Sequence, residues 1–209
     1  MTLDRLRPLA EQVMEPFVTA ADRVGLTPDG VSILAFGFAV AAGLTYALAG
    51  QPVGAWEPDP RLYLLGAAFV FLNGWLDLMD GALARRQGTD SRVGDLLDHV
   101  FDRYADVVVV AGLAGGTGAY LLGFLAVTGV LMTSYLGTQA QAVGLERVYG
   151  GVVGRADRLA IIGATTAVAA FLPAPLYGLT AVGWLLVFLA VVGHLTALQR
   201  FYYSMAALE

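Results

Sequence analysis

Four aspartates between residues 77 and 102 have a spacing that could bring their carboxylates together. Asp77 and Asp80 are three residues apart, and Asp98 and Asp102 are four apart. Residues three or four apart lie on one face of an α-helix, so each pair points the same way. On two antiparallel neighbouring helices, the four carboxylates would converge at one height and repel one another unless a cation lies between them.

This carboxylate set predicts a divalent metal site for chemistry at phosphorus. The chain has no cysteine and two histidines, so Mg²⁺ or Mn²⁺ is expected rather than zinc. Two ions about 3.5–4 Å apart would suit a displacement at phosphorus, because they hold the attacking and leaving oxygens together. Gly81 and Ala84 leave room for a ligand against the helix backbone, and Arg85 offers a planar cation for phosphate.

The rest of the chain has the composition of a membrane protein. Of its 209 residues, 57% are hydrophobic and 14% are charged, whereas a soluble domain carries about 25% charged residues. Long apolar runs predict an all-α integral membrane protein with six spans, since a span needs roughly 20 helical residues. The predicted spans cover about 28–49, 61–84, 93–115, 118–143, 155–172 and 177–203.

The first 26 residues are predicted to form a separate element before the transmembrane catalytic domain of residues 27–209. Apolar residues recur at helical spacing over residues 2–24, opposite charged residues, which predicts an amphipathic helix in the membrane interface. A soluble helix packed on the domain is the alternative. Thr27 followed by Pro28 is typical of an N-cap and the first residue of a helix.

The arginines predict the orientation of the spans. All twelve basic residues are arginine, and those near the ends of the spans fall on one side, except Arg61. Because basic residues near span ends stay on the cytoplasmic side, both termini and the carboxylates of spans two and three are predicted to be cytoplasmic. The expected location is the cell membrane. No nucleic-acid partner is expected for a chain of net charge −5.

Eight residues of this segment resemble a family signature. The chain reads Asp77-x2-Asp80-Gly81-x2-Ala84-Arg85-x8-Gly94-x3-Asp98-x3-Asp102. This is similar, at every specified position, to the signature of the CDP-alcohol phosphotransferase family. The resemblance implies six membrane helices after a juxtamembrane helix, usually in a homodimer. It also implies transfer of a phosphatidyl or archaetidyl group from a CDP-linked lipid to a polyol or polyol phosphate, with release of CMP.

The resemblance further implies roles for individual residues. Four aspartates would bind metal, and the last of them would also be the general base: Asp77, Asp80, Asp98 and Asp102. Residues of the same segment would contact the CDP-linked lipid: Gly81, Ala84, Arg85 and, in the following loop, Ser91. The stretch "TPDGVS" resembles the family's pattern before its first span and adds Asp29 and Ser32 to the nucleotide contacts.

The acceptor is predicted from two arginines at the start of the fifth span. Arg155 and Arg158 could hold a phosphorylated polyol near the metals, or could simply pair with lipid phosphates as positive-inside residues. The sequence "GRADRL" is similar to the "ERAERL" pattern of relatives that use inositol phosphate. Those relatives place basic residues where this chain has Gly137 and Gln139. Glycerol phosphate is therefore the expected acceptor, a neutral polyol stays open, and inositol phosphate is the alternative.

Two further alternatives concern the class of protein and the lipid. Intramembrane acids also occur in small ion or solute transporters, but a transport site is expected near the midplane, whereas these acids lie towards the span ends. An acidic chain without lysine suggests either a high-salt habitat or a GC-rich genome. The first favours CDP-archaeol as the lipid substrate over CDP-diacylglycerol.

Overall fold

The computed structural model describes residues 7–89, 91–145 and 153–208, with side chains described from residue 12 onward. Within these ranges the chain forms seven α-helices and no β-strand. The helices are α1 (Arg7–Arg23), α2 (Pro28–Gly50), α3 (Leu62–Gln87), α4 (Arg92–Thr117), α5 (Tyr120–Ala142), α6 (Arg155–Ala169) and α7 (Ala181–Leu208). The prediction of an all-helical chain is confirmed.

The helices lie close to the predicted spans, with two differences near the C-terminus. α6 ends at Ala169 rather than at residue 172, and α7 begins at Ala181 rather than at residue 177. The intervening "FLPAPLYG" contains two prolines, which cannot donate a helical hydrogen bond. It also turns back at Tyr177 and Gly178, whose φ angles of 50° and 81° are left-handed. The predicted helix over 2–24 is observed from Arg7, and its first residues lie outside the described part.

Four of the helices are long and apolar enough to cross a membrane, namely α2, α3, α5 and α7. α4 has 26 residues, but its N-terminal half carries six charged side chains between Arg92 and Asp106. α6 has only 15 residues. Length and composition therefore support a membrane protein and four of the six predicted spans.

Glycines bring α2 and α4 into backbone contact. A Cβ on Gly112 would overlap the carbonyl oxygen of Gly43, and a Cβ on Gly116 would overlap that of Tyr46. Small residues allow such close approach of membrane helices. The Tyr46 ring fills the space beside Gly66 of α3, and its hydroxyl lies 2.9 Å from Oγ1 of Thr166 in α6. α2 is thus held against three other helices.

α5 and α7 form a second close pair. Gly129 and Gly193 lie at their crossing, where an added Cβ would come 3.0 Å or less from the opposite backbone. The hydroxyl of Thr133 donates to the carbonyl oxygen of Gly193 at 2.9 Å. The apolar core spans the whole bundle and includes Val109 and Leu113 of α4 and Leu186 of α7.

α1 packs on the end of α3 through a small apolar cluster. Met14, Val18 and Ala21 are buried against Met79 and Leu83. Charged residues of α1, among them Glu15 and Asp22, contact Arg86 outside this cluster. Other apolar side chains of α1 and of the turn that follows it are exposed, namely Val13, Phe17 and Val24.

Polar contacts reinforce the attachment of α1 to α3. The Arg86 guanidinium contacts Glu15 at 2.7 Å and Asp22 at 3.2 Å. The Gln87 amide donates to Asp22 Oδ1 at 3.0 Å and to the carbonyl oxygen of Leu26 at 3.1 Å. The hydrogen bond from Gln87 lowers the pKa of Asp22 below its ordinary value, with Arg86 acting in the same direction. Arg86 and Gln87 of α3 therefore attach the C-terminal part of α1 and the turn that follows it to α3.

The glycine contact between α2 and α4 generates a prediction for stability. Replacing Gly112 by alanine forces the two backbones apart, so we expect a loss of about 1–3 kcal/mol and a lower thermal unfolding midpoint in detergent micelles. The control is Gly37→Ala, because Gly37 is exposed on α2 with no atom within 4 Å of an added Cβ. An unchanged midpoint for Gly112→Ala would show that the contact does not stabilise the bundle.

Candidate metal and nucleotide site

The turn between α3 and α4 brings their aspartates together at one end of the bundle. α3 ends at Gln87 and is followed by Gly88, whose φ of 63° is left-handed, a conformation that glycine adopts readily. α4 begins after Ser91, whose Oγ accepts a hydrogen bond from the Gly94 amide at 3.0 Å and so caps the helix. The end of α3 and the start of α4 therefore lie at the same end of the bundle, where both helices pack on α2.

Three of the four predicted metal carboxylates converge. Asp77 of α3 and Asp98 and Asp102 of α4 each offer an oxygen, and the three oxygens lie within 4.8 Å of one another. All three residues are partly buried. The donor set consists of carboxylate oxygens only and comes from two helices, which fits Mg²⁺ or Mn²⁺.

The fourth carboxylate, Asp80, is held next to this group by α2. Its Oδ2 accepts a hydrogen bond from the Ser32 hydroxyl at 2.5 Å, and its Oδ1 accepts from the Gly81 amide at 2.6 Å. Ser32 lies in the first turns of α2, which Thr27 caps by accepting from the Gly30 amide at 3.2 Å. The predicted N-cap is confirmed, and it sets the start of the helix that carries Ser32.

A cavity of about 620 Å³ adjoins the carboxylates. This volume lies in the range of small-molecule sites. Its walls include three of the predicted metal residues, Asp77, Asp80 and Asp98, and all six residues predicted to contact the CDP-linked lipid, which are Asp29, Ser32, Gly81, Ala84, Arg85 and Ser91. The structure thus brings together, around one cavity, residues from α2, α3 and α4 that the sequence places up to 70 positions apart.

Gly81 contributes open space to the cavity wall. A Cβ at this position would meet only the Arg85 side chain, at an ordinary contact distance of 3.5 Å. Packing between helices therefore does not require glycine here, in contrast to Gly112. The bare backbone at Gly81 instead faces the cavity and leaves room for a ligand.

α1 supplies a cavity residue that sequence reasoning missed. Met14 lines the cavity together with Gln87, the same side chain that hydrogen-bonds Asp22. The apolar spacing of α1 predicted a helix with one buried face, but it gave no indication of which surface that face covers. The attachment of α1 to α3 therefore helps to form the cavity.

Arg155 joins the metal carboxylates rather than lining the large cavity. Its Nη1 lies 2.5 Å from Asp77 Oδ2, and its Nη2 lies 2.6 Å from Asp102 Oδ1. It is the first residue of α6, and the Asp157 side chain fixes this helix start by accepting from the Gly154 amide at 3.1 Å. One guanidinium from α6 therefore bridges a carboxylate of α3 and a carboxylate of α4.

Arg158 has a different partner. Its Nη2 lies 2.6 Å from Oδ2 of Asp106, and both side chains are almost fully buried, at 6% and 2% exposure. Arg103 lies between Asp102 and Asp106 of the same helix, at 3.3 Å from the first carboxylate and 3.7 Å from the second. Sequence reasoning gave Asp106 no role, although it continues the four-residue spacing of Asp98 and Asp102.

Comparison with known proteins places this site in a family. Residues 20–197 match the family model described as CDP-alcohol phosphatidyltransferase. The archaetidylinositol phosphate synthase of Methanothermobacter thermautotrophicus is 32% identical over 202 residues, which cover 96% of this chain and 93% of that protein.

Solved structures show the same fold. A crystal structure of the Mycobacterium tuberculosis phosphatidylinositol phosphate synthase with CDP-DAG bound has a TM-score of 0.75 at 30% identity, covering 92% of this chain and 94% of that one. A structure of the same enzyme with manganese and citrate has a TM-score of 0.74 at 30% identity, covering 91% and 88%. The chain therefore belongs to the CDP-alcohol phosphatidyltransferase family, and it is a metal-dependent transferase of membrane phospholipid synthesis.

Proposed function

We propose that this enzyme transfers the phosphatidyl or archaetidyl group of a CDP-linked lipid to inositol phosphate and releases CMP. The observation that carries the proposal is the convergence of the α3 and α4 carboxylates beside a cavity of about 620 Å³. The names of the similar proteins support inositol phosphate as the acceptor. Glycerol phosphate, the acceptor expected first from the sequence, is less supported by these relatives.

The positions of the buried cations are consistent with a phosphorylated acceptor. The expectation of glycerol phosphate depended on Gly137 and Gln139, which replace basic residues on α5. In the structure, positive charge instead comes from neighbouring helices. Arg155 of α6 lies at the carboxylates, and Arg200 of α7 is buried with its Nη1 donating to the carbonyl oxygen of Thr133 at 2.7 Å, one helical turn before Gly137. We propose Arg155 for the acceptor phosphate, while the same role for Arg158 stays a prediction.

The metal-site residues fit the chemistry of this transfer. Asp77, Asp80, Asp98 and Asp102 would hold two divalent ions, Mg²⁺ or Mn²⁺, which supply Lewis-acid stabilisation of charge on the phosphoryl oxygens. The six cavity residues predicted for the CDP-linked lipid would orient its diphosphate beside these carboxylates; they are Asp29, Ser32, Gly81, Ala84, Arg85 and Ser91. Arg85 is the cation among them, at the exposed end of α3.

Asp102 is proposed as the general base. Its carboxylate would take the proton from the acceptor hydroxyl, within hydrogen-bond reach of it. The resulting oxygen forms a bond to the lipid-side phosphorus, and the bond from that phosphorus to the CMP oxygen breaks. Arg103 lies 3.3 Å from Oδ2 of Asp102 and so supports the orientation of its carboxylate.

We propose that all six predicted spans cross the membrane, as a catalytic domain of residues 27–209 with both termini and the site on the cytoplasmic side. Residues 1–26 would lie in the interface, which suits the exposed apolar side chains Val13 and Phe17. The charged part of α4 is compensated within the bundle by Arg155 and Arg158, which lowers the cost of placing it in a membrane.

A homodimer is also proposed, and the mass of the protein in detergent tests it.

An acceptor panel tests the proposed reaction. Purified protein with Mg²⁺ is incubated with CDP-archaeol or CDP-diacylglycerol and, separately, with inositol phosphate, glycerol phosphate, inositol, serine or glycerol. We expect lipid product and CMP release with inositol phosphate at a rate at least tenfold above the other acceptors, and no turnover in EDTA. Preferential use of glycerol phosphate would contradict inositol phosphate as the acceptor. If no acceptor in the panel gives CMP release, the proposed transfer reaction is wrong.

Replacing the base tests the role of Asp102. We expect Asp102→Asn to lower turnover by more than a hundredfold, because the amide cannot take the acceptor proton, while the affinity for CDP falls less than tenfold. CDP affinity is measured by calorimetry in the presence of Mg²⁺. The control is Asp59→Asn in the α2–α3 loop, which should keep normal turnover. Turnover within threefold of wild type for Asp102→Asn would exclude Asp102 as the base.

Single cysteines test whether α4 and α6 cross the membrane, since the chain has no cysteine of its own. Thr89→Cys and Tyr120→Cys bracket α4, and Gln141→Cys and Leu176→Cys bracket α6. We expect a membrane-impermeant maleimide to label residues 120 and 176 in intact cells, and residues 89 and 141 only after permeabilisation. Labelling of both members of a pair from the same side would show that the helix between them does not cross.

A further inference from the structure

The position of Arg155 between two metal carboxylates points to a role that precedes acceptor binding. We propose that Arg155 and the divalent cation compete for Asp77 and Asp102, so that metal binding releases the Arg155 guanidinium to bind the acceptor phosphate. The release step rests on the proposed acceptor, whereas the competition does not. Arg155 would therefore couple metal occupancy to acceptor affinity.

The geometry shows why the two cations compete. Arg155 places one nitrogen 2.5 Å from Asp77 Oδ2 and the other 2.6 Å from Asp102 Oδ1. Asp77 and Asp102 also belong to the group whose oxygens lie within 4.8 Å of one another. The guanidinium therefore donates to oxygens of the same carboxylates that a metal ion would use. The three side chains retain only 16–23% exposure, so water screens little of the repulsion between two cations placed there.

The charges of the full site favour release once metal is bound. Four carboxylates carry four negative charges, which two divalent ions balance. A guanidinium in the same place adds a positive charge that nothing at the carboxylates compensates. An anion such as a phosphate monoester then becomes its preferred partner. The Nε of Arg155 is buried and has no hydrogen-bond partner among the described residues, so a third donor is available to such an anion.

The second arginine of α6 allows this movement without loss of the helix. Arg158 lies one turn further on and pairs with Asp106 at 2.6 Å, outside the three-carboxylate group. Asp157 holds the helix start through the Gly154 amide. α6 therefore stays anchored to α4 when Arg155 leaves its carboxylates, and only one side chain needs to move.

The competition is tested by titrating Mn²⁺ into EDTA-treated, desalted protein and following free Mn²⁺ by its electron paramagnetic resonance signal. No lipid or acceptor is present. We expect Arg155→Gln to bind Mn²⁺ at least tenfold more tightly than wild type, and Arg155→Lys, which keeps the charge but loses the bidentate bridge, to lie between them. The matched control Arg92→Gln removes an exposed arginine at the start of α4 and should change the affinity less than twofold.

Weaker or unchanged Mn²⁺ binding by Arg155→Gln would overturn the competition, because it would mean that Arg155 organises the carboxylates for metal or does not affect them. If Arg155→Gln does not fold, the Mn²⁺ titration of Arg155→Lys alone tests the competition. This variant should bind Mn²⁺ at least threefold more tightly than wild type, and equal or weaker binding contradicts the proposal.

The release is tested by calorimetry with inositol phosphate, with and without saturating Mn²⁺. In wild type we expect Mn²⁺ to tighten inositol phosphate binding at least tenfold, and in Arg155→Gln we expect this gain to fall at least fivefold. If Mn²⁺ increases the affinity of Arg155→Gln for inositol phosphate as much as that of wild type, the proposed release of Arg155 is wrong. If the acceptor panel shows that another polyol phosphate is used, the acceptor is wrong, while the Mn²⁺ titration still decides the competition.

Discussion

The structure is organised around carboxylates that converge from two helices and repel one another. Oxygens of Asp77, Asp98 and Asp102 lie within 4.8 Å, in an apolar bundle where such repulsion is poorly screened. Arg103 of α4 contacts Asp102 at 3.3 Å, and closer positive charge comes from outside α3 and α4. α6 begins beside them with Arg155 and Arg158, and each of these arginines contacts a carboxylate at 2.6 Å or less. The position of α6 is therefore determined by charge as well as by apolar packing.

The same arrangement links the bundle to substrate binding. α2 contacts α4 through Gly43 and Gly112 and α3 through the hydrogen bond from Ser32 to Asp80, so it connects the two helices that carry the carboxylates. α1 closes another side of the cavity with Met14. The cavity is thus formed where α2, α3 and α4 meet a helix that has an exposed apolar surface, which suits the proposed substrate with its polar nucleotide and lipid tails.

Sequence reasoning predicted the features that depend on local spacing. The helices and the cap at Thr27 follow from periodicity and capping, and the predicted residues around the cavity follow from the eight-residue signature, the loop after it and the TPDGVS stretch. It failed where a side chain had several possible partners. Arg155 and Arg158 lie three residues apart in the sequence, yet they pair with different carboxylates. The partner of each depends on how α6 packs, which the sequence does not show. The expectation of glycerol phosphate as acceptor is less supported than its alternative, because the similar proteins are named for inositol phosphate.

The order of the helices along the chain has a consequence for biosynthesis. α4 carries Asp98, Asp102 and Asp106, but the arginines of α6 that pair with the last two are synthesised about 50 residues later. At about 5–20 residues per second, this leaves a delay of several seconds. During that time Asp102 and Asp106 have Arg103 as a described partner but lack the arginines of α6, and exposing acids to lipid is costly. On the proposed six-span topology, stable integration of α4 therefore depends on a helix that has not yet been made, so the site and the bundle would be completed together.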